Sequence, residues 1–289
     1  MIDFVAFPLV VTVLVAVVGS RLFDRLRPDV AARAGAALLA AVSVASVPTL
    51  WIVGLSGLTH MGLENPIVDW SRHVLPEHRP FGAVVGAASL VAAVIGTCRV
   101  ASVVLHHRRL RCTTACPLEL VDTDEVYAYT LPGPAGIIAI STGLRDALDD
   151  DEFDVVLAHE QTHARHRHDR FKLLGLLTAA LMPPVRSVVT RLDYHLERWA
   201  DEEALDRTGI GRRVGARTIA KVALADPAPA PALGIANHGV AARAAALLSP
   251  PTGSGATTMI ETVLVVTTAL LLATFQLHHT LMFAAALLH

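Results

Sequence analysis

Long apolar blocks alternate with polar stretches along this chain, and the alternation is coarse enough to mark whole elements. Four segments, Phe4–Ser20, Ala31–Leu55, Phe81–Leu105 and Thr257–Phe283, are almost continuous in Ala, Val, Leu and Ile. Crossing about 30 Å of hydrocarbon takes roughly 20 such residues, so each reads as a transmembrane helix. Between the third and fourth lies a polar stretch rich in Asp, Glu, Arg and His. Its pattern changes from period two to period 3.6. The runs Val126–Thr130 and Gly136–Ser141, split by Pro132-Gly133-Pro134, predict a hairpin or edge strands. Thr142–Leu148 predicts a short helix. The acidic run Asp149, Asp150, Asp151, Glu152 opens a longer one, as a cap and solvated face that complements the helix dipole. That helix is expected to continue past Arg170 into the apolar stretch Phe171–Met182, which Pro183 and Pro184 end. About 12 residues are too few for a full span, and whether this stretch enters the membrane stays open. A further helix is predicted over Val188–Arg207, and the Pro/Ala alternation of Asp226–Ala232 reads as a linker or exposed loop.

The resulting fold class is a mainly α membrane protein of about four transmembrane helices with an α+β domain inserted between the third and fourth. Residues 1–111 hold three spans and short loops, 112–251 the polar domain, and 252–289 the last span. Composition agrees: of 289 residues 53% are hydrophobic and 17% charged, with a mean hydropathy of +0.50. Arginines set the orientation. Arg21, Arg25, Arg27 and Arg33 follow the first span and Arg108, Arg109 and Arg111 the third, whereas the loop between spans two and three sets Arg72 and Arg79 against Glu64, Asp69 and Glu77. The polar domain then faces the cytoplasm and both termini lie outside. The N-terminal segment lacks a basic start and a cleavage site and reads as a retained span. A net charge of −2 argues against nucleic acid as a direct partner. Three cysteines, Cys98, Cys112 and Cys116, describe no disulfide framework and fit a reducing face.

The chemistry centres on His159-Glu160-Gln161-Thr162-His163. On a helix, positions i and i+4 share a face, so both imidazoles can reach one metal with Glu160 beside it. Two neutral imidazoles leave room for a third ligand and a water, and the adjacent carboxylate is placed to take the water's proton: zinc-hydrolase chemistry. The third ligand is expected from a later helix, where Glu197-Arg198-Trp199-Ala200-Asp201 supplies Glu197; Asp201, one turn on, can fix a ligand imidazole, His159 being the expected recipient. The bland reading of Glu197 is a surface pair with Arg191 or Arg198. His166, His168 and Asp169 read as a basic, pH-responsive surface in preference to a second metal site, because Arg165, Arg167 and Arg170 surround them. Oxyanion donors by residue type are His195, Tyr194, Arg198 and Arg243. The strand Gly136–Ser141 either offers an edge for an extended peptide or is paired inside the domain.

From Val126 to Arg207 the chain resembles gluzincin membrane peptidases, in particular the BlaR1/MecR1-like M56 family, with the M48 family of Ste24 and HtpX type as close relatives. The resemblance rests on Ile140-Ser141-Thr142-Gly143-Leu144, the motif helix from Leu157 to His163, an apolar continuation, and the run Glu197–Asp201. It implies zinc on His159, His163 and Glu197, base catalysis by Glu160, a cytoplasmic peptidase domain in a bacterial membrane, and a protein substrate such as a repressor or the chain itself. In antibiotic-sensing M56 members a penicillin-binding domain follows the last span; here His289 closes the sequence directly after it, which speaks against that kind of sensing. The alternatives are an M48-like quality-control protease and a non-enzymatic membrane sensor or scaffold. A homo-oligomer is left open.

Overall fold

The computed structural model describes residues 3–58, 83–110, 118–132, 137–225, 230–249 and 255–286. The loop between spans two and three, with its acidic residues, and Cys112 and Cys116 lie outside the described residues.

The apolar segments form long helices: α1 (Asp3–Gly19), a 3-10 turn (Ser20–Arg25), α2 (Pro28–Leu58), α3 (Ala83–Leu110) and, far along the chain, α10 (Ala256–Ala286). Pro28 and Asp29 start α2 where a missing N–H and a negative charge cost least. Three stretches, Pro28–Leu55, Val84–Arg109 and Ala256–His279, are long and apolar enough to cross a membrane. α1, at 17 residues, rises about 25 Å and is shorter than those. Large apolar side chains on α3 and α10, such as Val84, Val91, Ile260 and Leu271, are exposed, as on a lipid-facing surface. Inward, small residues let helices approach: Ala31, Ala45, Ala269 and Ala273 are buried with Leu38, Leu39 and Val42. Gln276 Nε2 donates to Thr49 Oγ1 across 2.5 Å.

Between α3 and α10 in the chain come β1 (Leu118–Val121), β2 (Ala128–Leu131), β3 (Ile137–Ser141), α4 (Thr142–Ala147), α5 (Asp150–His166), α6 (His168–Leu181), a 3-10 turn (Pro183–Val185), α7 (Arg186–Thr208), α8 (Arg212–Ala225) and α9 (Ala230–Leu248). The strands make one sheet in the order β1-β3-β2. β2 and β3 are antiparallel, with Ala128 opposite Ile140 and Leu131 opposite Ile137. β1, which sequence reading missed, runs parallel to β3. β3 is therefore the central, wholly buried strand, so of the two readings of Gly136–Ser141 the paired one holds for Ile137–Ser141, and among the described strands β1 and β2 each pair on one side only.

Three further expectations change. The helix entering the motif does not run on past Arg170. It stops at His166, and Arg167 takes a left-handed conformation (φ 55°) before α6 begins. The acidic run caps α5 as expected, Asp149 and Glu152 forming a reciprocal box, but Glu152 is buried, accepting from Lys221 at 2.6 Å and Arg217 at 3.2 Å. It thereby docks α8 on α5, and the Lys221 hydrogen bond above all holds its carboxyl below the usual range. The Pro/Ala stretch is helical from Ala230 onward; residues 226–229 lie outside the described residues.

α2 and α3 are in close contact at Gly54, where an added Cβ would lie 2.8 Å from the Leu90 Cα. Gly54→Ala is expected to lower the unfolding free energy in detergent by about 1–3 kcal/mol. Gly211→Ala, whose Cβ meets nothing within 4 Å, is the neutral control, both read by thermal unfolding.

Candidate active site

Two helices face each other across the site, and each contributes a pair at i, i+4. On α5 these are His159 and His163, with Glu160 between them; on α7 they are Glu197 and Asp201. α7 is placed by its other residues: Leu192, Leu196 and Trp199 are buried in one core with α1, α2 and α10. α5 is seated on the sheet through Val156, packed with Ile138, Ile140, Leu144 and Leu148.

His159 Nε2 lies 3.5 Å from Glu197 Oε2 and His163 Nε2 lies 3.6 Å from Glu197 Oε1. The two Nε2 atoms are 3.0 Å apart, and among the described residues this is the one group of three such side chains that could hold an ion. The donor set fits zinc on two counts. Two imidazoles and a carboxylate are the ligands of an open catalytic zinc site, and tetrahedral bonds of about 2.0–2.1 Å would set the two nitrogens about 3.3 Å apart. Without a metal, the two ring nitrogens at 3.0 Å are within hydrogen-bond distance, one N–H facing the other's lone pair.

Around this trio the charges are matched. His159 Nδ1 donates to Asp201 Oδ1 at 3.0 Å, which aims Nε2 at the metal position. Asp201 in turn accepts from Arg243 Nε at 2.8 Å and Nη2 at 2.7 Å. Burial alone would lower the His159 pKa, but its bonds to Asp201 and Glu197 outweigh that and raise it to about 9. A metal bound at the His159 Nε2 would have to displace a proton from that ring. Burial works to raise Glu197 as well; Lys172, then His163 and His159, outweigh it and hold the carboxyl well below its usual range. Lys172 Nζ reaches Glu197 Oε1 at 3.0 Å, and Arg243 Nη1 reaches Oε2 at 3.2 Å. Glu197 thus makes neither of the surface pairs weighed for it: Arg191 binds Asp24 and Arg198 binds Glu202.

Glu160 is buried, and its Oε2 accepts from Thr130 Oγ1 of β2 at 2.8 Å. A cavity of about 270 Å³ opens beside it. Its lining includes His159, Glu160, Glu197 and Arg243 on the polar side and Val155, Leu205, Ile219, Val222, Val240 and Leu247 among the apolar residues.

Of the oxyanion candidates only Arg243 reaches this cavity. Arg198 pairs with Glu202 at 3.4 Å; His195 is fully buried 3.5 Å from Asp24, with Tyr194 stacked edge-on beside it. The surface reading of His166, His168 and Asp169 also changes. His168 is 1% exposed, with burial pushing its pKa down to about 2. His166 Nε2 pairs with Glu203 at 2.8 Å, and Asp169 with Arg167 at 3.2 Å. Sequence reading missed Thr130, Lys172 and the Arg243–Asp201 pair, which no fixed spacing ties to the motif.

His159→Ala, His163→Ala and Glu197→Ala are each expected to abolish stoichiometric zinc in the purified protein, measured by elemental analysis. Asp201→Ala should weaken zinc by about 10–100-fold in chelator competition while the ligands remain.

Residues 105–200 match the family model described as peptidase family M48. No curated protein and no solved structure matches. The matched stretch takes in the sheet, both motif histidines and Glu197, and with the apolar helices it supports a membrane metallopeptidase related to M48.

Proposed function

We propose that the chain is a membrane-embedded zinc endopeptidase that cleaves a cytosolic or membrane-proximal protein. The observation that carries this reading is the convergence of His159, His163 and Glu197 on one point, with Glu160 beside them at the mouth of the cavity. Zinc held there would supply Lewis acidity toward a substrate carbonyl and a water.

The chain's own residues supply the rest. Glu160 is positioned as general base, to take a proton from the water and pass it to the departing amine. Thr130 Oγ1 ties down Oε2 and leaves Oε1 for that exchange. The Asp201–Arg243 pair keeps the His159 ring turned toward the metal. Arg243 lies where developing negative charge on a carbonyl oxygen would be stabilised. An extended peptide would add to the open side of β2, the strand-addition role now moved from Gly136–Ser141. Ala128 of that strand lines the cavity, which would accept an apolar side chain next to the cut bond.

The arginine distribution supports a bacterial cytoplasmic membrane with the site facing inward, and the resemblance to M56 peptidases supports a regulatory substrate such as a repressor or the chain itself. The M48 match favours a second reading, broad clearance of membrane proteins. Glu160→Gln is expected to keep zinc and fold while lowering cleavage by about 10²–10⁴-fold. Comparing the proteome of cells carrying that variant with wild type separates the readings: one or two stabilised proteins mark a regulatory protease, many mark clearance, and none argues for a sensor or scaffold.

A further inference from the structure

The histidine five residues beyond the motif lies closer to the site than helical geometry would allow. Five residues of an α-helix turn through about 500°, which leaves residue i+5 about 140° off the starting face. Yet His168 Nδ1 lies 2.7 Å from His163 Nδ1. The contact exists because Arg167 adopts the left-handed conformation, ending α5 and folding the first turn of α6 back beneath the ligand. A non-glycine residue held at positive φ is strained, and such strain gathers at functional sites.

Resting on the zinc reading, we propose that His168 is a positioning residue: it accepts the Nδ1–H of His163 and so fixes the tautomer that leaves His163 Nε2 open to the metal. His163 Nε2 belongs to the converging trio, and for it to offer a lone pair the ring proton must sit on Nδ1. That proton points at His168 Nδ1, which must then accept, placing the His168 proton on Nε2. The opposite arrangement, with His168 donating, would force the His163 proton onto Nε2 and into the trio.

The arrangement has a cost that shows in the structure. His168 Nε2 is buried and meets no hydrogen-bond partner among the described residues, and a buried N–H left unpaired is destabilising. The ring is packed against Trp199 (centroids 4.8 Å apart) and Phe171 (6.1 Å). An apolar side chain would suit that slot better if only packing mattered. The two imidazole ligands are therefore held differently, His159 by a carboxylate and His163 by a neutral ring. A carboxylate as second partner would have been the fourth at the site, beside Glu160, Glu197 and Asp201.

The test uses the full-length protein in detergent and two substitutions. His168→Leu removes the acceptor and keeps the volume apolar; His168→Asn places its Oδ1 near the position of Nδ1. Zinc affinity is read by chelator competition, ligand geometry by visible absorption of the cobalt-substituted protein, and fold by thermal unfolding of the metal-free form. His168→Leu should lose about 10–100-fold in zinc affinity and shift the cobalt bands, while its metal-free form unfolds no earlier than wild type. His168→Asn should recover most of the affinity and the spectrum. Wild-type affinity and spectrum in His168→Leu, or a His168→Asn protein as weak as His168→Leu, overturns the proposal. A wild-type protein that holds no zinc, indifferent to His163→Ala, instead overturns the zinc reading beneath it.

Discussion

Helix α7 is shared between two environments, and the rest of the structure depends on that sharing. Leu192, Leu196 and Trp199 lie in the core that α1, α2 and α10 build, and Arg33 near the start of α2 lies 4.8 Å over the Trp199 ring. Turned the other way, the same helix presents Glu197 and Asp201 to the motif histidines. Neither face can move alone, because an α-helix is stiff over two turns. A rotation of α7 that repacked Leu192 against α2 would swing Glu197 away from His159 and His163. The candidate site is thus fastened to the membrane helices through packing, with the sheet supporting only its far side.

The second constraint is charge. Asp201 is a carboxylate withdrawn from water and Glu197 is partly so, and a buried ion is tolerable only when opposed. Lys172, Arg243 and a protonated His159 oppose them. A divalent cation entering the trio would displace the His159 proton and compete with Lys172 for Glu197. The metal-free site is for that reason a charge-balanced arrangement that holds its shape, which keeps the ligands close to their working positions.

Legibility in the sequence followed periodicity. The i, i+4 pairs were readable because a helix puts such residues on one face whatever surrounds them, and the apolar blocks because hydrocarbon thickness sets a length. Failures fall where long-range pairing or a single dihedral decides. β1 is four residues, too short for its Leu-Glu-Leu alternation to mark it, and only its parallel partner β3 makes it a strand. Arg167 carries no glycine signal, so a helix break there could not be read, and with it went the burial of His168. Glu152 read as solvated because its partners, Lys221 and Arg217, lie more than sixty residues on. Arg243 was one of four oxyanion candidates by residue type, and its pairing with Asp201 was unreadable because α9 returns to α7 from 42 residues on.

That return has a consequence in time. Asp201 and Arg243 are 42 residues apart, and a ribosome adds about 5–20 residues each second, so the countercharge follows its partner by about 2–8 s. During that interval α5 and α7 already carry His159, His163 and Glu197, but Asp201 has only His159 to pair with, and the wall of the cavity that α9 supplies has not been made. In a nascent chain the site is therefore incomplete until α9 has folded over it, and of the membrane helices only α1, α2 and α3 precede that step, α10 following it.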